Sequence, residues 1–290
     1  MKNAFVFAAL LFSGTILEPS VLVKGIFAFV FFSMISSTVY LVNDCIDVEK
    51  DKLHPIKKNR PIASGKVSRF EAIFVAIILA SSSVMFSFVI IGRYFVTILI
   101  LYLILQILYS FWLKHVIIVD ALVITFGFIL RVYAGAIAIP LSVSSWLILA
   151  VLGISLLLAF GKRRAERSLL SGQNVSQEKT RAILKFYPDS LLDSMISMSA
   201  SFAIISYSLF SFQVSPESKL DLLSSIVPST LIGIKLLMLT IPVVIYGVAR
   251  YLFVIYKEGR GESPERVLLS DKPLFSSAVL WAVMALLIMA

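Results

Sequence analysis

Nine long apolar runs set the terms for this chain, at about 4–17, 21–43, 69–91, 94–112, 116–138, 144–161, 191–212, 229–254 and 273–290. Most reach the roughly 17–25 residues that a helix needs to cross a bilayer. Backbone in lipid must satisfy its hydrogen bonds internally, so runs of this kind are expected as helices. The expected fold class is all-α, a polytopic membrane protein with nine transmembrane helices. No repeat, low-complexity tract or linker divides it, so residues 1–290 are read as a single domain. The first run is short and ends at Gly14, Glu18 and Pro19; with no small-residue cleavage site after it, it reads as a span rather than a leader. Composition agrees: 59% of residues are hydrophobic and 15% charged, against about 45–50% and about 25% in soluble domains. The single Cys45 excludes an internal disulfide or a multi-cysteine metal centre, and His54 and His115 are too few to favour a histidine-ligated one.

The basic residues orient these spans. The loops after the second, fourth, sixth and eighth runs hold seven, one, seven and five Lys or Arg, and with Lys2 this puts 21 of the 26 on one side. Lys24, Arg93, Lys219 and Lys235 face the other side, and Arg131 lies inside the fifth run. Basic loops stay in the cytoplasm, so residues 47–68 and 162–190 are expected there and Ala290 outside. The alternation is expected to require nine spans. The net charge of +9 is a product of this loop asymmetry and does not imply a nucleic-acid partner.

The second run ends in Asn43, Asp44, Asp47 and Asp51. The acids are spaced i, i+3, i+7, which puts all three carboxylates on one helical face. Like charges so stacked repel unless a cation neutralises them. Hard oxygen donors suit Mg²⁺, which takes one or two carboxylates and completes its shell with water and phosphate oxygens. A solvated acidic helix end is the plainer alternative, but acids at the edge of an apolar span are costly and usually functional. Lys57, Lys58 and Arg60 follow on a stretch that Pro55, Pro61 and Gly65 keep from being helical. They can bind phosphate, Arg60 in bidentate fashion, or simply mark the cytoplasmic side.

Lys162, Arg163 and Arg164 open the loop after the sixth run, with Glu166 placed to pair with Lys162. Topology and a phosphate site are both open readings of this cluster. Arg131 lies about 15 residues into its span, too deep to reach water, and must face the bundle interior. Asp120 is on nearly the same face but roughly 16 Å away by helix rise. Arg131 either contacts a substrate or locks helices together.

These residues, in this order, resemble the UbiA superfamily of intramembrane prenyltransferases. Its first motif, NDxxDxxxD, is matched by Asn43, Asp44, Asp47 and Asp51. The resemblance implies nine helices around a lateral, cytoplasm-facing cavity, with Mg²⁺ on Asp44, Asp47 and Asp51. Typical members carry an acidic DxxxD after the sixth span, where this chain has Lys162, Arg163, Arg164 and Glu166. That departure, with Lys2 and Asn3 near the N-terminus, the stretch 109–115 containing Lys114, and the stretch 259–265, looks like the decaprenyl-phosphate phosphoribosyltransferase branch. The implied partners are 5-phosphoribosyl diphosphate, a polyprenyl phosphate and the bilayer of the cell membrane. The implied reaction joins the first two and releases diphosphate. By this likeness Asp44 and Asp47 hold the donor diphosphate through metal, and Asn43, Lys57, Lys58 and Arg60 lie at its phosphates. Lys162, Arg163 and Arg164 would receive the acceptor phosphate, with Lys2, Asn3, Lys114 and Arg131 as further substrate contacts. A conventional prenyl transfer to an aromatic acceptor is the rival within the superfamily. A transporter is the rival outside it, although paired halves and interrupted midplane helices are not evident.

Overall fold

The computed structural model describes residues 2–53, 57–172, 186–215, 235–258 and 264–289, with side chains left out at 169–172. His54, Pro55, Lys179, Arg181, Lys185, Lys219, Arg260, Ala290 and residues 259–263 of the stretch 259–265 lie outside these.

The described chain is all helical. Helix α1 (Ala8–Leu11) extends a 3₁₀ turn over Lys2–Phe7. Then come α2 (Pro19–Ile46), α3 (Val48–Leu53), α4 (Arg69–Ile90), α5 (Arg93–Phe111) and α6 (Val119–Ala138). After these follow α7 (Ser145–Gly172), α8 (Asp189–Val214), α9 (Ile241–Phe253), α10 (Pro264–Ser270) and α11 (Lys272–Met289). Local chemistry explains several boundaries. Pro19 occupies the first turn of α2, where its missing N–H would have no partner anyway. Ser68 and Glu71 form a reciprocal capping box at the start of α4.

Among the described residues, eight helices are long and apolar enough to cross a membrane, α9 counting with the turns that extend it to Leu236–Lys257, and the first of the nine expected runs forms a shorter apolar helix. The exception is the first run, which is helical only from Lys2 to Leu11. At about 2.0 Å per 3₁₀ residue and 1.5 Å per α residue it spans about 18 Å, short of the roughly 30 Å hydrocarbon core. The chain then turns at Gly14 (φ +73°), beside the Met289 carbonyl at the far end of α11. The run begins with Lys2 3.9 Å from Glu265 and ends where α2 starts, and the seven long helices after α2 alternate from there.

Helix α6 is the centre of the bundle: 67% of its span is buried, against 17% for α4. It packs on α5, α7 and the 3₁₀ turn at Lys2–Phe7. Gly135 permits the last of these contacts, since a Cβ there would collide with the Val6 carbonyl. Helices α7 and α8 lie equally close, and a Cβ on Gly153 would come 2.6 Å from the Ala203 Cα. Helix α4 instead exposes Phe70, Phe74, Ile77, Met85, Phe88 and Val89. An apolar face of this kind suits lipid.

One end of the bundle gathers the polar side chains. There α2 meets α5 through Asp47 and Lys114, and α6 meets α7 through Asp120 and Arg163. At the same end Arg164 of α7 meets Asp193 of α8, Tyr256 bonds to Asp193, and Arg250 of α9 meets Asp271 before α11.

Candidate active site

A cavity of about 1040 Å³ opens inside the bundle and ends at this polar end. Asn43, Asp44, Asp47, Asp51, Lys57 and Arg60 line its rim, joined by Lys114 from beyond α5 and by Lys162 and Glu166 from α7. Deeper in the cavity, α9 and α11 present Val243, Val244, Val248 and Ala278. Opposite them α5 presents Tyr102, Gln106, Tyr109 and Ser110. The cavity therefore has a polar wall and an apolar wall.

The acids at the rim are held together as their spacing implies, although the helix breaks at Asp47 (φ −90°, ψ 8°). Main-chain bonds from Asp47 N–H to Asn43 and from Asp51 N–H to Asp47 carry the helical register across the break. Two cations of the protein neutralise the three carboxylates. Arg60 Nη1 donates to Asp44 Oδ1 at 2.7 Å and to Asp51 Oδ2 at 2.8 Å. Lys114 Nζ donates to both Asp47 oxygens, at 2.8 and 3.0 Å. Asp51 is buried beneath Arg60, so Asp44 and Asp47 are the acids best placed for the cavity.

This arrangement suits a magnesium ion in kind and number. Among the described residues no three acidic, histidine or cysteine side chains converge on one point. Mg²⁺ needs only one or two protein carboxylates where phosphates complete its shell, and Asp44 and Asp47 supply two carboxylates at the cavity edge.

The second cluster divides on inspection. Lys162 lines the cavity, 3.9 Å from Glu166 Oε1. Arg163 faces the other way and is 1% exposed. Its Nε donates to Asp120 Oδ2 at 2.6 Å and its Nη1 to Glu166 Oε2 at 2.8 Å. Tyr187 completes this buried network. Its hydroxyl donates to Asp120 Oδ1 and accepts from the Ile118 N–H, both at 2.6 Å. Burial, and then the adjacent Asp120, hold that hydroxyl well above the ordinary tyrosine pKa, so it remains a donor. The bond to Ile118 also fixes a β-branched residue at φ +68°, a conformation that needs outside support. Arg164 turns to Asp189 and Asp193 on α8. Of the three expected phosphate ligands, only Lys162 faces the cavity.

Asp120 therefore serves Arg163 rather than Arg131. Arg131, 4% exposed, donates to Asn3 Oδ1 at 2.9 Å, the Gly127 carbonyl at 2.7 Å and Tyr102 Oη at 2.9 Å. Phe32, Tyr102 and Phe128 surround its guanidinium with ring faces 4.9–5.4 Å away. It both locks helices and lines the cavity. Asn3 reaches Arg131 and Ser33 instead of the rim, Lys2 lines the cavity 3.9 Å from Glu265, and Lys58 is exposed.

Sequence reading missed the polar stripe of α5. Its signal was present in the i, i+4, i+7, i+8 spacing of Tyr102, Gln106, Tyr109 and Ser110 within an apolar span. The Asp120–Arg163–Tyr187 network joins residues 43 and 67 apart in the chain and left no local signal.

Comparison with known proteins identifies the family. The sequence model of the UbiA prenyltransferase family matches residues 3–163, more than half of the chain. The chain belongs to the UbiA prenyltransferase family. Decaprenyl-phosphate phosphoribosyltransferase of Corynebacterium glutamicum is 34% identical over 295 residues, covering 100% of this chain and 84% of the relative. The Mycobacterium tuberculosis protein of the same name is 32% identical over 266 residues, covering 90% and 80%. Among solved structures, a UbiA homolog from Archaeoglobus fulgidus bound to GPP and Mg²⁺ has a TM-score of 0.67 at 17% identity, over 99% of this chain and 95% of that one. A UbiA homolog from Aeropyrum pernix has a TM-score of 0.63 at 16% identity, over 98% and 94%. These two structures share the fold. The chain is thus a multi-pass membrane transferase of the UbiA family.

Proposed function

We propose that this UbiA transferase moves 5-phosphoribose from 5-phosphoribosyl diphosphate to a polyprenyl phosphate at the cytoplasmic face of the cell membrane. The observation that carries the proposal is identity of 32–35% to decaprenyl-phosphate phosphoribosyltransferases. The cavity supports it: Lys162 occupies the place where a prenyl-diphosphate enzyme carries the acids of its second motif.

The donor diphosphate sits at the rim, against Asp44, Asp47, Lys57, Arg60 and Lys114. Asp44 and Asp47 would hold Mg²⁺, which would supply charge neutralisation for the departing diphosphate. Lys162 receives the acceptor phosphate, and the polyprenyl tail follows the apolar wall of α9 and α11. An oxygen of the acceptor phosphate forms the bond to the ribose anomeric carbon as the bond from that carbon to the diphosphate oxygen breaks. The acceptor is already an anion, so no proton leaves it and no general base is needed. The protein contributes position and charge, which together supply much of the rate in phosphate chemistry.

The test is transfer of radiolabelled phosphoribose to polyprenyl phosphate by purified protein, beside a parallel assay with a prenyl diphosphate donor and an aromatic acceptor. Phosphoribosyl transfer that needs Mg²⁺ and is lost in Asp44→Ala and Asp47→Ala is expected. Full activity in EDTA removes the metal from the reading. Transfer of the prenyl group alone replaces the reaction with its rival.

A further inference from the structure

Gln106 is out of place for a structural residue. It lies within the span Arg93–Phe111, and its side chain lines the cavity. Ser110 Oγ donates to its main-chain carbonyl at 2.9 Å, and among the described residues its side-chain amide has no partner. A polar side chain at membrane depth without a partner is costly and usually functional. Across from it is Arg131, whose three hydrogen-bond partners are all neutral. Those bonds use three of the five guanidinium N–H groups, and two remain.

Both groups converge on one place. A Cβ built on Gly127 would stand 3.1 Å from Gln106 Nε2 and 3.4 Å from Arg131 Nη1. The two nitrogens are therefore no farther apart than the sum of those distances, and glycine leaves the space between them clear. The charge on Arg131 makes this a site for an anion. An apolar prenyl chain would leave both groups unsatisfied.

This inference rests on the proposed reaction. A phosphoribosyl diphosphate has two anionic ends, the diphosphate on C1 and the phosphate on C5. The rim takes the first. Gln106 lies five residues, or about 7.5 Å of helix rise, before the end of α5 at Phe111, and Lys114 stands in the turn just beyond, a separation in keeping with the length of the sugar. We propose that Gln106 and Arg131 form a second subsite, which receives the 5-phosphate of the donor and so selects a sugar phosphate over a prenyl diphosphate.

The probe is ribose 5-phosphate, titrated calorimetrically into the purified full-length protein, with inorganic diphosphate as the probe of the rim. Gln106→Leu is the central variant because it keeps the size of the side chain and removes only the amide. Its ligand-free unfolding midpoint is expected to equal or exceed that of the wild type. Ribose 5-phosphate should bind it about ten-fold or more weakly, the loss typical of a charge-assisted hydrogen bond, while diphosphate binding stays the same. In turnover the KM for the donor rises and that for the acceptor does not. Arg131→Lys, which keeps the charge and loses the fork, should fall between Gln106→Leu and wild type. Equal binding of ribose 5-phosphate by wild type and Gln106→Leu would overturn the subsite, as would parallel loss of both probes. Binding that depends on Gln106 in a protein that transfers no phosphoribose would keep the subsite and overturn the reaction. Transfer with binding independent of Gln106 would do the reverse.

Discussion

Lys162 and Arg163 adjoin in the chain and occupy opposite environments. Arg163 is sealed among Asp120, Glu166 and Tyr109, whereas Lys162 borders the cavity. Removing one partner of a buried ion pair strands the other, at a cost of about 3–5 kcal/mol. Arg163→Ala should therefore lower stability by that order in denaturant unfolding, with activity falling because less protein folds. Lys162→Ala should leave the unfolding midpoint unchanged and raise the KM for polyprenyl phosphate about ten-fold, as loss of one charged contact implies. A KM effect from Arg163→Ala at full stability would return that residue to the site. At this scale the acids were legible because their spacing is local and their setting expensive. The pairing of Asp120 was not, because helix rise excluded a short contact with Arg131 and the sequence offered no way to choose the true partner.

Elements in this bundle approach closely where glycine allows it. Gly135→Ala must push the turn at Lys2–Phe7 off α6, and Gly153→Ala must part α7 from α8. Each is expected to lose about 1–3 kcal/mol, the usual cost of overpacking. The two should differ in function: only Gly135→Ala disturbs the Asn3–Arg131 contact, so only it should also raise the donor KM. Equal kinetic effects would separate that contact from substrate binding. Eight of the nine expected spans are present as long helices because their apolar runs exceed what a bilayer needs. The first run is helical over the shorter stretch Lys2–Leu11, and its 3₁₀ turn packs against α6, a contact that hydropathy alone does not show.

At the scale of the molecule, the charge asymmetry makes a prediction about sidedness. In a protein with Cys45 replaced by Ala, a cysteine at Lys66 should react only after the membrane is permeabilised. A cysteine at Ser142, at the opposite end, should be labelled in intact cells. Labelling of position 66 from outside would invert the topology.

Ion pairs between described helices gather at the polar end, from Arg69–Glu49 through Lys114–Asp47 and Arg163–Asp120 to Arg250–Asp271. The opposite end meets through apolar contacts and hydrogen bonds such as Ser144 to Gln213 and Leu237 to Ser215. In the proposed reaction the charged groups would meet at the end where charge is concentrated, and the lipid tail would extend toward the apolar end. Holding the reacting atoms and accommodating the tail would then fall to opposite ends of the same helices.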